Sequence, residues 1–302
     1  MTSARSAAPA GFQSPPPGLA RRRRRGAVLR AVALAATLVG LVVLAVLLAR
    51  VVAEGWPWLR PELLFEYPSR IAERAGLRAA LAGTFWLMVL TAAIAVPVGV
   101  GAAVFLEEYA RPGRWLRLVQ LNIANLAGVP SVIYGVLGLA VFVRTLGLGA
   151  SFLSGAITLA LLVLPVIVIA TQEALRAIPR GVRESAYALG ATRWQVVRAH
   201  LVPLALPGTL TGVILALSRA IGETAPILVV GAATFLAFLP ATPLDAFSAL
   251  PVQIYNWASR PQDEFRGLAA AGILVLLAVL LLMNGLAIVL RDRAERRGRA
   301  GH

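Results

Sequence analysis

The stretch Arg183-Glu-Ser-Ala-Tyr-Ala-Leu-Gly-Ala-Thr-Arg-Trp194 interrupts an otherwise strongly apolar sequence. It lies inside a polar island that extends from Gln172 to His200, and apolar sequence resumes at Leu201. A charged segment between two membrane spans either forms a loop at the membrane surface or docks onto a partner. The pattern of small, apolar and charged residues within the island favours docking.

The composition on both sides of the island is that of a protein with several membrane spans. Of the 302 residues, 59% are hydrophobic and 14% are charged, and the mean hydropathy is +0.78. Soluble domains contain about 25% charged residues. The apolar runs are long enough for spanning helices and lack the alternating pattern of a membrane barrel. We therefore expect an all-α polytopic membrane protein.

The apolar runs predict six transmembrane helices. A disordered basic tail over residues 1–27 precedes the first helix, 28–50. The alternative is a signal peptide with a weak cleavage site at Val51-Val52-Ala53, but signal peptides have apolar regions of about 7–15 residues, and the run from Ala31 to Ala49 is longer. The other five spans are expected over 79–106, between Arg117 and Arg144, between Arg144 and Glu173, from Pro203 to about Val230, and over 268–290.

The arginines predict the orientation of these spans. All 29 basic residues of the chain are arginines. With a cytoplasmic N-terminus, 20 of them fall in cytoplasmic segments and eight on the opposite side, while Arg219 falls inside a span. Because cytoplasmic loops are enriched in Lys and Arg, we expect both termini and the island to be cytoplasmic. Residues 293–302 then form a second basic tail.

The missing residue types exclude several classes of protein. The chain has no Lys and no Cys, and its imidazoles are His200 and His302 alone. A Walker phosphate loop and a Schiff-base enzyme both need Lys, and thiolate sites need Cys. The 14 carboxylates are scattered, and the adjacent pairs Glu107-Glu108 and Asp263-Glu264 are interpreted as solvated loop ends. We therefore expect no catalytic residue, metal site or cofactor site in this chain, and no nucleic-acid partner, because the arginines flank apolar runs.

Within the island the sequence predicts a short helix, a turn and a second short helix. Residues 184–189 favour a helix, and Gly190 interrupts it. Thr192 is placed to cap the second helix, which Pro203 is expected to end. The alternative is an ordinary amphipathic loop. Three residues spaced by three are expected to share one face of the second helix: Trp194, Val197 and His200.

The island also carries a family resemblance. Glu184-Ser-Ala-x-x-x-Gly190, followed by Leu201-x-Pro203, resembles the EAA loop of ABC-importer permeases, with Ser185 where Ala is usual. The resemblance implies that residues 173–204 form a coupling loop that docks into a separate ATPase subunit, which would bind the ATP. The docking residues that it implies are Glu184, Ser185, Ala186, Gly190 and Pro203.

Three further stretches narrow the resemblance to the permeases of phosphate-specific ABC importers. They are Gly128-Val-Pro-Ser-Val-Ile-Tyr-Gly135, Leu217-Ser-Arg-Ala-Ile-Gly-Glu-Thr-Ala-Pro226 and Leu250-Pro-Val-Gln-Ile-Tyr-Asn-Trp257. The first two are shared by both permeases of such importers, and the third is similar to PstA-type permeases. The match covers residues 75–292. It implies the type I importer (MetI-like) fold in a bacterial cytoplasmic membrane. The implied partners are a PstC-like sister permease, a PstB-like ATPase dimer and an external PstS-like phosphate-binding protein.

The candidate substrate residues are Arg219 and Glu223, with Ser131 and Tyr134 as possible hydroxyl donors along the path. If the fifth helix starts near Leu206, Arg219 lies about 20 Å along it, past the middle of a core about 30 Å thick. Glu223, four residues later, is expected on the same helix face. The pair is either a structural ion pair or part of the permeation path, where intramembrane charges are usually found.

A role in the path would have a specific chemistry. Arg219 offers planar donors to phosphate oxygens, and Glu223 can accept the P–OH proton of monohydrogen phosphate, which sulfate lacks. Alternatively, Glu223 only neutralises Arg219 between transport cycles.

Two other functions remain open from the sequence. One is an ABC permease for molybdate, sulfate or an organic solute, and the other is a secondary transporter that needs no ATPase. The Pro-rich connection over 235–267 is expected to be a partner surface or a lid.

Overall fold

The structure is a computed structural model that describes the backbone of residues 19–300 and the side chains of 26–289 and 291–293. Within these residues the fold is helical, with a single isolated β-bridge between Ser151 and Ala246 and no strand. The helices are α1 (Leu19–Gly55), α2 (Pro61–Phe65), α3 (Arg78–Val104), α4 (Arg114–Ala127), α5 (Ser131–Gly138), α6 (Phe152–Arg176), α7 (Arg180–Ala188), α8 (Arg193–Val196), α9 (Val202–Ile221), α10 (Ala225–Val230), α11 (Leu250–Ala258) and α12 (Asp263–Ala300). Wide π-helical turns occupy Phe105–Tyr109, Leu139–Thr145 and Val197–Leu201.

The chain divides into two compact units, 1–50 and 51–302. The first unit is described from Leu19 onward and consists of α1, whose side chains from Gly26 to Arg50 are all exposed. The expectation of a disordered tail over 1–27 is wrong for 19–27, which are helical because Leu, Ala and Arg favour helix and no breaker stands before Gly26. Residues 1–18 of that expected tail lie outside the described residues.

Five helices are long and apolar enough to cross a membrane: Gly26–Trp58, Arg78–Tyr109, Phe152–Arg176, Arg193–Ile221 and Asp263–Arg293. The pair Arg114–Ala127 and Ser131–Thr145 makes a sixth span if it is counted as one, although its halves are bent by 102°. The break falls at Gly128-Val-Pro130. Pro130 lacks the N–H that would continue the helix, and its ring crowds the preceding turn. The third predicted span is thus interrupted by a sharp bend, as in a broken span or a re-entrant loop.

The fifth span differs from its prediction at both ends. It begins at Arg193 and ends at Ile221, whereas the sequence suggested a start after Pro203 and an end near Val230. Pro203 is accommodated near the start of α9 because the π-helical turn over Val197–Leu201 precedes it. A widened turn moves the preceding carbonyls away from the proline ring, so the helix continues without a break.

The second unit is built around α6, which packs against α3 on one side and α9 on the other. Small residues allow close approach at both contacts: Gly99 of α3 lies against Ile167, and Gly212 of α9 lies against Ala170. Such small-residue contacts are typical of helices packed within lipid. The α6 helix therefore forms the centre of the bundle.

The stretch from Leu250 to Trp257 forms the buried helix α11, which packs against α12. Trp257 is fully buried. With the Gln253 amide turned so that both of its ends are paired, its nitrogen donates to the Thr234 carbonyl at 3.1 Å and its oxygen accepts from the Trp257 indole at 2.9 Å. The Leu250 N–H donates to the Thr84 hydroxyl at 2.8 Å. Gln253 and Trp257 therefore face the bundle, whereas Tyr255 of the same helix is 53% exposed. The expectation of a partner surface or lid over 235–267 stays a prediction.

Candidate functional site

Two of the motif stretches lie against each other in the bundle. The α5 helix, which contains the end of the Gly128–Gly135 stretch, packs on α10, which begins at the end of the Leu217–Pro226 stretch. A Cβ atom placed on Gly135 would stand 2.7 Å from the Pro226 Cα atom. Gly138 is similarly enclosed by Thr158 of α6 and Val230 of α10. Only glycine permits backbones to approach so closely.

Arg219 and Glu223 form the predicted contact at the point where α9 ends. The Arg219 Nε atom lies 3.3 Å from the Glu223 Oε1 atom, and the side chains are 47% and 17% exposed, respectively. Arg219 stands in the last turn of α9, and Glu223 lies in the non-helical link before α10. The depth estimated from Leu206 therefore does not apply. An Arg in the last turn is favoured by the helix dipole and by the unpaired carbonyls there.

The two hydroxyl residues have different surroundings. The Tyr134 side chain is buried, and its hydroxyl donates to the Leu126 carbonyl at 2.8 Å across the break between α4 and α5. Ser131 is the first residue of α5 and is half-buried. The Tyr134 hydroxyl thus joins α5 to α4 across the bend.

The polar island adopts the predicted helix–turn–helix. The α7 helix ends in a glycine C-cap: Gly190 has a φ of +82°, its N–H donates to the Tyr187 carbonyl at 2.9 Å, and the Ala191 N–H donates to the Ala186 carbonyl at 3.1 Å. This bonding pattern is a Schellman motif. The predicted cap at Thr192 is confirmed as a capping box with Gln195.

The second helix of the island differs from its prediction. It is the beginning of the fifth span, so Pro203 does not end it. The expected common face is also wrong, because Val197 is buried whereas Trp194 and His200 are exposed. The buried side is formed by Val196, Val197 and Leu201, since the π-helical turn shifts the register of the side chains.

The exposed side of the island is apolar at its tip. Leu189 is 89% exposed, and Tyr187 and Trp194 beside it are 44% and 59% exposed. Among the residues implied to dock, Glu184, Ser185, Gly190 and Pro203 are exposed, whereas Ala186 is buried in a small cluster with Leu175 and Val196. Large apolar side chains presented together on a polar segment commonly mark an interaction surface.

The carboxylates Glu107 and Glu108 are not solvated loop ends. Glu108 is 8% exposed and lies 2.7 Å from Arg183, and Glu107 lies 3.0 Å from Arg176. Sequence reasoning missed these pairs because 75 residues separate Glu108 from Arg183. The one available signal was the need of each buried or half-buried charge for a partner.

Comparison with known proteins identifies the family. Residues 95–296 match the model of the binding-protein-dependent transport system inner membrane component. The chain is 34% identical over 289 residues to the phosphate transport system permease protein PstA 1 of Mycobacterium tuberculosis, covering 92% of this chain and 91% of that protein.

Two solved structures share the fold. An inward-facing structure of the MetNI methionine ABC transporter matches with a TM-score of 0.56 and 22% identity, over 73% of this chain and 96% of that chain. The bacterial alginate ABC transporter, solved with an alginate pentasaccharide-bound periplasmic protein, matches with a TM-score of 0.65 and 15% identity, over 89% of this chain and 96% of that chain. The chain therefore belongs to the inner membrane components of binding-protein-dependent transport systems and, within them, to the PstA permeases.

Proposed function

We propose that this chain is a permease subunit of an ATP-driven importer of inorganic phosphate. The observation that carries the proposal is the 34% identity to a phosphate transport permease over 92% of the chain. The chain is a transport subunit rather than an enzyme in this proposal. ATP is bound and hydrolysed by a separate subunit, in keeping with the absence of Lys from this sequence.

The exposed face of α7 is the proposed docking surface for that ATPase. Leu189 is 89% exposed at its tip, and Glu184 stands one helical turn from Ala188 on the exposed side of α7. The Schellman motif at Gly190 fixes the direction in which this tip is presented. A cleft in the ATPase that accepts Leu189 and Tyr187 would move α7 when the ATPase closes on ATP.

Arg219 and Glu223 are the proposed substrate residues, at the junction of α9 and α10. Arg219 is 47% exposed, so its guanidinium is accessible to an anion in the absence of the sister permease. The Arg219 donors suit phosphate oxygens. Glu223 accepts a hydrogen bond from the P–OH group of monohydrogen phosphate. It repels sulfate, which has no such donor. Ser131 and Tyr134 border the same region in α5.

The proposed complex is a heterodimer with a PstC-like sister permease in a bacterial cytoplasmic membrane. It includes a PstB-like ATPase dimer at the island face and a PstS-like phosphate-binding protein on the opposite face. The α4 helix, none of whose side chains is buried in the single chain, is the surface available for the sister permease. In this arrangement the island and both termini are cytoplasmic.

The test is to purify the tagged chain after co-expression with the permease, ATPase and binding protein of the same organism. We expect the chain to retain the second permease and the ATPase, and phosphate-loaded binding protein to stimulate ATP hydrolysis. Binding protein loaded with sulfate or molybdate should give no stimulation. Stimulation by sulfate or molybdate alone would contradict phosphate as the substrate, and stable purification without any ATPase would contradict ATP-driven import.

A further inference from the structure

Three consecutive residues just after α3 each contact one arginine of the island. They are Glu107, Glu108 and Tyr109, in the π-helical turn over Phe105–Tyr109. Their partners stand on three successive elements: Arg176 at the end of α6, Arg183 in α7 and Arg193 at the start of α8. We call this set of six residues the arginine clasp.

The contact between Glu108 and Arg183 is the centre of the clasp. The Arg183 Nη2 atom lies 2.7 Å from Glu108 Oε1, and its Nε atom lies 3.2 Å from the same oxygen. The remaining donors of Arg183 reach the Leu175 carbonyl at 2.9 Å and the Ile178 carbonyl at 3.1 Å. The guanidinium of this one α7 residue therefore contacts both the turn after α3 and the end of α6. A guanidinium has the planar fork that this arrangement needs, whereas Lys offers a single point of attachment.

The two outer contacts of the clasp also join the turn after α3 to an arginine of the island. Arg176 approaches Glu107 through both Nε and Nη2 at 3.0 Å. The Arg193 guanidinium carbon lies 5.3 Å from the centre of the Tyr109 ring, a cation–π distance. A π-helical turn, whose hydrogen bonds join residues five apart, is rare and is frequently found at functional sites. The turn over Phe105–Tyr109 carries all three side chains that contact the arginines.

Two kinds of contact attach α7 to the bundle. Ala186, the one buried residue among the nine of α7, packs in an apolar cluster with Leu175 and Val196. Arg183 adds the polar contacts, which reach Glu108 and the Leu175 carbonyl. A force applied at the exposed tip, Leu189, would be transmitted to α3 through Glu108.

We propose that the arginine clasp transmits the movement of α7 to α3, and that Glu108 and Arg183 are positioning residues for the coupling of ATP hydrolysis to transport. This inference rests on the proposed function of α7 as the ATPase-docking helix. The α9 helix is continuous with the island and would move with it. The inference adds that α3 moves with α7 as well. Breaking the clasp should leave ATP hydrolysis intact and separate it from transport.

The test compares Glu108→Gln with the unchanged complex in vesicles, as phosphate transported per ATP hydrolysed. Gln keeps the volume of Glu but removes the charge that pairs with Arg183. We expect this ratio to fall by roughly twofold to thirtyfold, which corresponds to the range of coupling energies that such residues modulate. Basal hydrolysis and the amount of assembled complex should stay unchanged. A wild-type ratio in assembled Glu108→Gln complex would overturn the proposal.

Two controls lie outside the clasp. Glu264→Gln makes the same chemical change on an exposed carboxylate at the start of α12. Arg111→Gln removes one charge at an exposed position two residues past Tyr109. Both should retain the wild-type ratio. Tyr109→Phe keeps the ring face for Arg193 and should also retain it, whereas Tyr109→Leu should lower it. If Glu108→Gln does not assemble, Tyr109→Leu tests the proposal instead, because it leaves both ion pairs in place. A wild-type ratio of phosphate transported to ATP hydrolysed in Tyr109→Leu would then overturn the proposal.

A second measurement, of distances between spin labels, does not depend on the identity of the transported substrate. Because the chain has no Cys, spin labels can be placed at Phe105→Cys and Arg180→Cys, both exposed positions on the two sides of the clasp. We expect one narrow distance that is the same in the nucleotide-free and ATP-bound complexes, and a shifted or broadened distance once Glu108→Gln is added. A change of the distance on ATP binding in the unchanged clasp would overturn the proposal. Failure of phosphate to stimulate the unchanged complex would instead contradict the proposed function.

Discussion

Gly135 in α5 lies directly against Pro226 in α10, with 2.7 Å between a Cβ atom placed on the glycine and the proline Cα atom. This contact joins two stretches that are far apart in the sequence and places them beside Arg219 and Glu223. The α5 helix follows the bend between Ala127 and Ser131, and α10 follows the end of the span Arg193–Ile221. Broken helices at membrane depth commonly border a binding site or pathway, where their backbone groups find partners.

The contact predicts that Gly135 tolerates no side chain. We expect Gly135→Ala to destabilise the assembled complex by about 1–3 kcal/mol, the usual cost of an extra methyl group in a packed core. Thermal unfolding of the purified complex measures this loss. Gly101→Ala is the control, because a Cβ atom at Gly101 meets nothing within 4 Å. Equal stability of the two variants would contradict the packing of α5 on α10.

Gly190 is required for its backbone conformation rather than for space. A Cβ atom there meets nothing within 4 Å, but φ is +82°. We expect Gly190→Ala to cost about 1–2 kcal/mol, and a bulky β-branched residue such as Val to abolish ATP-coupled transport while membrane insertion persists. Gly181→Ala, inside α7 and with open space around it, should be neutral or stabilising. Wild-type transport by Gly190→Val in vesicles would contradict the docking role of this turn.

The exposed tip of α7 predicts the position of a binding hot spot. Leu189→Asp should weaken ATPase binding by at least about 2 kcal/mol, which is roughly thirtyfold, because a charge would enter an apolar contact. The affinity can be measured by titrating purified ATPase onto the permease heterodimer. Leu146→Asp makes the same change at a 59% exposed position near the other end of α6 and should leave ATPase affinity unchanged. Comparable losses in both variants would indicate misfolding rather than a lost contact.

Glu223 is expected to determine the choice between phosphate and sulfate. A hydrogen bond from the P–OH group to a carboxylate is charge-assisted and contributes about 1.5–3 kcal/mol. Glu223→Gln should therefore lower the preference for phosphate over sulfate by roughly tenfold or more, as measured by competition in transport assays. Glu264→Gln, an exposed carboxylate at the start of α12, serves as the control. If phosphate uptake and sulfate rejection are both unchanged in a correctly inserted Glu223→Gln complex, Glu223 has no role in selectivity.

Local signals in the sequence were sufficient for the island. The Gly190 turn and the Thr192 cap depend on residues within one helical turn, and both are present as expected. The continuation of the helix through Pro203 was not foreseen, because a proline is accommodated only when a widened turn precedes it. That turn has no signature in a single sequence.

Long-range partners account for the other differences. The Glu108–Arg183 contact crosses 75 residues, and no spacing rule connects charges so far apart. The break after Ile221 had one usable signal, because Pro226 has no N–H to donate to the Gly222 carbonyl and its ring crowds the preceding turn. The burial of Trp257 likewise depends on α12, so its indole partner Gln253 could not be predicted from the outer connection alone.

The most direct test of the proposed function is the uptake of radiolabelled phosphate into vesicles that contain the purified complex, with ATP enclosed and binding protein outside. We predict that phosphate accumulates against its gradient only when ATP is enclosed and the ATPase subunit is present, and that excess sulfate does not compete. Equal accumulation without ATP or without the ATPase, or full competition by sulfate, would contradict ATP-driven phosphate import by this chain.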